Sequence, residues 1–199
     1  MDSGPEGKHM SKKTYAKTLK LCSGEYVALG GGEPTLHPKF WEFLGLALGS
    51  DAEDIWLATN GSQTKIALAL AKMAKGGVLG VALSRDEYHD EIDPEVVKAF
   101  EKGKPKYYDN HSDDCREIRS VTDIKASGRA KDWGEDGCCC DDIVIDIHGN
   151  IWACGCKTKQ FGTVWEPDEE AIADWRTDHT GECWEEVKDK QEEKVNKDE

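Results

Sequence analysis

The chemistry in this chain concentrates in its cysteines. There are eight in 199 residues, and six of them (Cys138, Cys139, Cys140, Cys154, Cys156 and Cys183) fall in the last third. No apolar signal segment opens the chain, since its first 25 residues are polar and basic. A disulfide framework belongs to oxidising compartments, so metal or iron–sulfur ligation is the first expectation. From Cys139 nine residues intervene before Gly149, and four more before Cys154; from Cys138 the first gap is ten. Cys156 follows at two residues, and Cys183 lies further on with His179 nearby. Thiolates brought together by a hairpin and completed by a distal cysteine suit an iron–sulfur cluster. They equally suit tetrahedral zinc, and unligated thiols are the third reading.

A second set of residues follows short apolar runs. Gly30-Gly31-Gly32-Glu33-Pro34 comes directly after Tyr26 to Leu29. Glycines let a ligand approach the backbone closely, so such a loop can hold the ammonium or carboxylate of an amino acid; it can also be a plain tight turn. Asn60 and Ser62 follow a second run, and Ser84, Arg85, Asp86 and His89 a third. Arg85 can pair with a ligand carboxylate, or with Asp86 or Glu87 of its own loop. Cys22 and Cys115 stand apart and read as structural thiols.

These residues need elements to position them. Helical spacing is seen over Lys12 to Cys22, Pro38 to Leu48, Lys65 to Lys75 and Asp93 to Phe100. Strands are expected at Tyr26–Leu29, Ile55–Thr59, Val78–Ser84 and Ile118–Ile124. Strands alternating with helices imply a parallel α/β sheet, with ligands at the carboxyl ends of the strands. Alternating isoleucines at 143, 145 and 147, a His148-Gly149-Asn150 turn and a return through Cys154 predict a β-hairpin. A charged helix is expected from Asp168, and the segment from Glu185 is a solvated tail. Trp41 and Trp56 read as packing residues, while Trp165 and Trp184 flank the cysteines and are placed to shield a cluster.

Five segments, in order, resemble the radical S-adenosylmethionine (SAM) superfamily. GGGEPTLHPKFWEFL is similar to that family's second strand and helix, WLATNGS to its third strand, and ALSRDEYHDEID to its fourth. ASGRAKDW resembles a later segment, and CCCDDIVIDIHGNIWACGC resembles the small C-terminal twitch or SPASM subdomain. The resemblance implies a SAM site at Gly31, Gly32, Glu33, Pro34, Asn60, Ser84 and Arg85. It also implies an auxiliary 4Fe-4S cluster on Cys138, Cys139, Cys154, Cys156 and Cys183, with zinc as its rival. The family's cluster loop, CxxxCxxC, has no counterpart here, because Cys22 is the sole cysteine before Gly30. The SAM-cleaving cluster must then come from a second polypeptide, or the radical reaction is absent.

The expected fold is α/β: a partial radical-SAM-type barrel lacking its first strand, plus a small cysteine-rich β-hairpin subdomain. Residues 1–9 read as an expression tag with Met10 as the natural start, 10–126 as the core, 127–184 as the cluster subdomain and 185–199 as the tail. The helix over Lys12 to Cys22, a partner chain or a second copy is expected to cover the open sheet edge. With 26 basic and 40 acidic residues, the net charge of −14 argues against a nucleic-acid partner. No apolar run approaches the roughly 18 residues of a membrane span, and a cytoplasmic location is expected.

Overall fold

The computed structural model describes residues 8–85, 90–101, 114–120, 142–155, 157 and 159–177. The chain divides into two compact units, Leu19–Thr122 and Met1–Thr18 with Asp123–Glu199. Helix α1 (Lys12–Leu21) carries the boundary, so its first turns group with the C-terminal unit.

The larger unit is a parallel sheet in the order β1 (Tyr26–Leu29), β2 (Asp54–Thr59), β3 (Gly80–Ser84), β4 (Arg116–Arg119). Helices α2 (Phe40–Leu48), α3 (Thr64–Lys75) and α4 (Pro94–Phe100) make the crossovers. Each helix buries one stripe: Phe40, Phe43, Leu44 and Ala47; Ala67, Leu70, Ala71 and Ala74; Val96 and Phe100. On β2 the alternate residues Ile55, Leu57 and Thr59 are buried, the period of two that a half-covered strand shows. Asp93 caps α4 by accepting from the Glu95 N–H at 2.9 Å, with Pro94 in the first turn.

Some expected boundaries move. The expected helix from Pro38 begins at Phe40, after a 3-10 turn over Pro34–Leu36. The fourth strand lies two residues earlier than the apolar pattern suggests, at Arg116–Arg119. Its first residue is a buried arginine, 6% exposed, bonded to Asp114 at 2.7 and 2.6 Å and to the Ala99 carbonyl. Trp41 is not a core residue: it is 47% exposed and packs edge-on against Phe40.

The smaller unit holds an antiparallel sheet of β5 (Val144–Ile145), β6 (Asn150–Trp152) and β7 (Gln160–Thr163), followed by α5 (Glu169–Thr177). Among its described residues, Ile151, Ala153, Cys154, Phe161, Val164 and Trp175 form a buried apolar cluster. Gly149 makes the expected turn with φ +85°, and a Cβ there would lie 2.8 Å from Val164. Among the described residues, no helix is long and apolar enough to cross a membrane.

Candidate functional site

A parallel sheet in sequential order sets the carboxyl ends of neighbouring strands side by side. Gly31, Gly32, Glu33 and Pro34 leave β1, Asn60 leaves β2, and Ser84 with Arg85 closes β3. All seven sequence-derived site residues therefore lie on one margin of the sheet. Asp86 to His89 fall outside the described residues. Gly31 and Gly32 are exposed, and Gly31 has φ +138°, which L side chains rarely adopt. An added Cβ at Gly30 or Gly31 would meet no atom of the described residues within 4 Å, so this backbone faces open space.

Glu33 is the node of the margin. Its Oε1 accepts from the Thr35 N–H at 3.1 Å, the Thr35 hydroxyl at 2.6 Å and the Thr59 hydroxyl at 2.9 Å. Its Oε2 accepts from the Asn60 N–H at 2.6 Å. Thr35 and Thr59 are 4% and 1% exposed, so the carboxylate is tied to buried hydroxyls. The Thr59 oxygen also accepts from the Gly61 N–H at 3.2 Å, and Asn60 Oδ1 accepts from the Ser62 N–H at 3.0 Å. Gly61 has φ +74°, and a Cβ there would lie 2.9 Å from Ile92 and 3.0 Å from Leu83. At the β3 end, Ser84 pairs with Arg119 in the register, and the Arg85 N–H donates to the Arg119 carbonyl at 2.7 Å. The Arg85 residue is exposed.

Thr35 and Thr59 are the buried partners of Glu33 that motif reading passes over. A signal exists for Thr59: it occupies the buried phase of Ile55-x-Leu57-x-Thr59, where an apolar residue is expected. A hydroxyl in that phase needs a partner.

Of the five cysteines implied as metal ligands, Cys154 alone lies within the described residues; Cys138, Cys139, Cys156 and Cys183 lie outside them, as does Cys140. Cys154 is fully buried just after β6, in the apolar cluster with Phe161 and Trp175. A turn follows it, closed by the Lys157 N–H on the Cys154 carbonyl at 3.1 Å, with Lys157 at φ +58°. The Ala153 N–H donates to the Lys159 carbonyl at 2.9 Å, which seals the base of this loop. Among the described residues no three His, Cys, Asp or Glu side chains converge on a metal-sized site.

The hairpin that carries Cys154 is pinned by Asp146. Its carboxylate accepts from the N–H groups of His148 and Asn150, the Asn150 amide and the Trp152 indole, all at 2.9–3.0 Å. Burial pushes this carboxyl up, and the bonds from Asn150, Trp152 and His148 outweigh it, holding it below its ordinary value. Trp165, expected beside the cysteines, is 42% exposed and lies under Lys13 and Lys17, whose Nζ atoms are 4.9 and 5.9 Å from the ring centre. Trp184 lies outside the described residues.

Compared with known proteins, the chain matches no family model, no curated protein and no solved structure.

Proposed function

We propose that this chain is an iron–sulfur protein on a partial radical-SAM-type barrel, binding one auxiliary-type 4Fe-4S cluster through its C-terminal cysteines. The observation that carries the reading is Cys154. Its thiol is fully buried in an apolar cluster, and Cys156 follows two residues later in the sequence. An apolar shell of this kind limits solvent access and tunes a cluster's potential. The donor set is all sulfur, which suits iron–sulfur or zinc and not a hard oxygen-seeking cation. Bound there, a cluster would supply one-electron chemistry, with Phe161 and Trp175 excluding water on the Cys154 side. Anaerobic reconstitution tests the reading. It should give a brown protein with acid-labile sulfide and broad visible absorption that bleaches on reduction. A colourless protein with one equivalent of zinc overturns it in favour of a structural zinc module.

A second reading is supported by the sheet margin: the chain is one half of a split radical SAM enzyme and binds SAM itself. Gly31, Gly32, Glu33, Pro34, Asn60, Ser84 and Arg85 share the carboxyl edge of a parallel sheet, where such folds take ligands. The exposed backbone of Gly31 and Gly32 offers polar groups to the aminoacyl end of SAM, and exposed Arg85 offers a cation to its carboxylate. The partner would bring the CxxxCxxC loop and a strand for the outer edge of β1, where Tyr26 is 61% exposed. A second copy covering that edge is the alternative arrangement. Calorimetry with SAM, alone and with a polypeptide carrying CxxxCxxC, tests it. Flat titrations in both cases overturn it.

A further inference from the structure

We infer that Thr59 and Thr35 are positioning residues of the strand-end site, acting through Glu33 on a ligand that neither of them touches. The inference rests on the SAM-binding reading of that margin and names what sets its affinity.

Thr59 is 1% exposed and Thr35 4%, so a ligand in the open space at Gly30 and Gly31 reaches neither hydroxyl. Both hydroxyls instead converge on Glu33 Oε1, at 2.9 and 2.6 Å, beside the Thr35 N–H at 3.1 Å. The second carboxylate oxygen takes the Asn60 N–H at 2.6 Å. One carboxylate thus joins the exit of β1 to the exit of β2. Three donors fill Oε1 and a fourth takes Oε2, so most of the acceptor capacity of Glu33 is spent inside the protein; Glu33 acts as a brace, and the exposed backbone of Gly31 and Gly32 faces the ligand.

A glycine loop has little conformational preference of its own, and Gly31 at φ +138° is held where other residues resist going. The brace begins at Glu33, immediately after these glycines, and fixes the end of the loop against β2. A ligand's ammonium needs several acceptors at set directions, and a displacement near 1 Å costs much of the interaction. Thr59 contributes twice. Its hydroxyl donates to Glu33 and accepts from the Gly61 N–H at 3.2 Å, so Thr59→Val leaves both groups short of a partner.

The test is SAM calorimetry on the full reconstituted chain, with the CxxxCxxC polypeptide present if binding requires it. Four variants are compared with the unaltered chain: Thr59→Val, Thr59→Ser, Glu33→Gln and the Thr59→Val/Glu33→Gln double. Thr59→Val should weaken SAM binding about tenfold, the size of one lost charge-assisted bond. Thr59→Ser keeps the hydroxyl and should restore binding to within about twofold. The double variant should bind no more weakly than Glu33→Gln alone, because both changes remove the same brace. Amide exchange at Asn60 reports the brace directly and should quicken in Glu33→Gln. If Thr59→Val does not fold, Thr35→Val removes the 2.6 Å bond to the same oxygen and carries the same expectation.

SAM binding that survives Thr59→Val, or losses that add in the double variant, overturns the positioning role while leaving the SAM reading intact. A flat titration of the unaltered chain, with Asn60 still protected from exchange, overturns the SAM reading and the positioning role together.

Discussion

Among the described residues, the hydrogen bonds to the Asp146 carboxylate come from neutral donors, yet it is one of the most heavily bonded side chains there. Four donors reach it, from His148, Asn150 and Trp152. Replacing it with Ala strands those donors around the turn that leads into Cys154. Asp146→Ala should cost about 2 kcal/mol of stability, the scale for losing bonds to a charged acceptor. The sign with pH follows from its depressed carboxyl. The stabilisation is present above the unfolded value, about 3.9, and is lost as pH falls through the lower folded value. Thermal melts of both proteins should therefore differ at neutral pH and converge in acid; a gap that persists at the lowest pH would be evidence against an ionised acceptor. Cys154 belongs to the same scale. As a cluster ligand it should lose iron and stability together in Cys154→Ser, since ligation energy is folding energy. Cys22→Ser should leave the metal content unchanged, and full iron in Cys154→Ser would refute the ligand assignment.

The elements differ in how plainly residue patterns announce them. β1, β2 and β3 lie within two residues of the expected runs, because each is an apolar stretch closed by glycine or a polar turn. β4 is displaced because its core-facing start is Arg116, whose charge is neutralised by Asp114 and so reads as surface in the sequence alone. β7 had no signal: Gln160–Thr163 holds one buried apolar residue, Phe161, and a glycine at φ +81°. The glycines of the strand-end site were legible from their types, whereas the Glu33–Thr59 tie spans 26 residues and depends on sheet register. Two substitutions test these elements. Gly162 in β7 lies so close to the Glu166 carbonyl that a Cβ cannot fit, and the chain doubles back there through Phe161 and Asp168, whose backbone groups bond at 3.0 Å. Gly162→Ala should destabilise by about 3 kcal/mol, combining left-handed backbone strain with overpacking, as read by denaturant midpoint. Gly80 pairs with Trp56 across β2 and β3, and a Cβ there would lie 2.6 Å from the indole. Gly80→Ala should cost about 2 kcal/mol alone and much less in a Trp56→Ala background. Equal costs in both backgrounds would mean that the indole does not lie across Gly80.

At the scale of the whole molecule, the chain divides into two compact units, and the proposed cluster would belong to one of them. The parallel sheet unit is built on apolar stripes from three helices and owes nothing in its described core to cysteine. Among its described residues the smaller unit has strands of two to four residues and an apolar cluster of six buried side chains, one of which is Cys154 itself. With a cluster ligand inside that apolar group, metal binding would be part of the folding energy of this unit. If the proposed cluster is bound, removing it should release the smaller unit and spare the larger. In amide exchange, Ile151 and Phe161 should lose protection after chelation, while Leu57 and Val81 keep theirs. Those four amides sit in β6, β7, β2 and β3, so they sample both units. Protection lost in step across all four would show that the units unfold as one. Unchanged protection at Ile151 after the metal is gone would show that the apolar cluster holds the smaller unit by itself, and the cysteines would then serve no folding role.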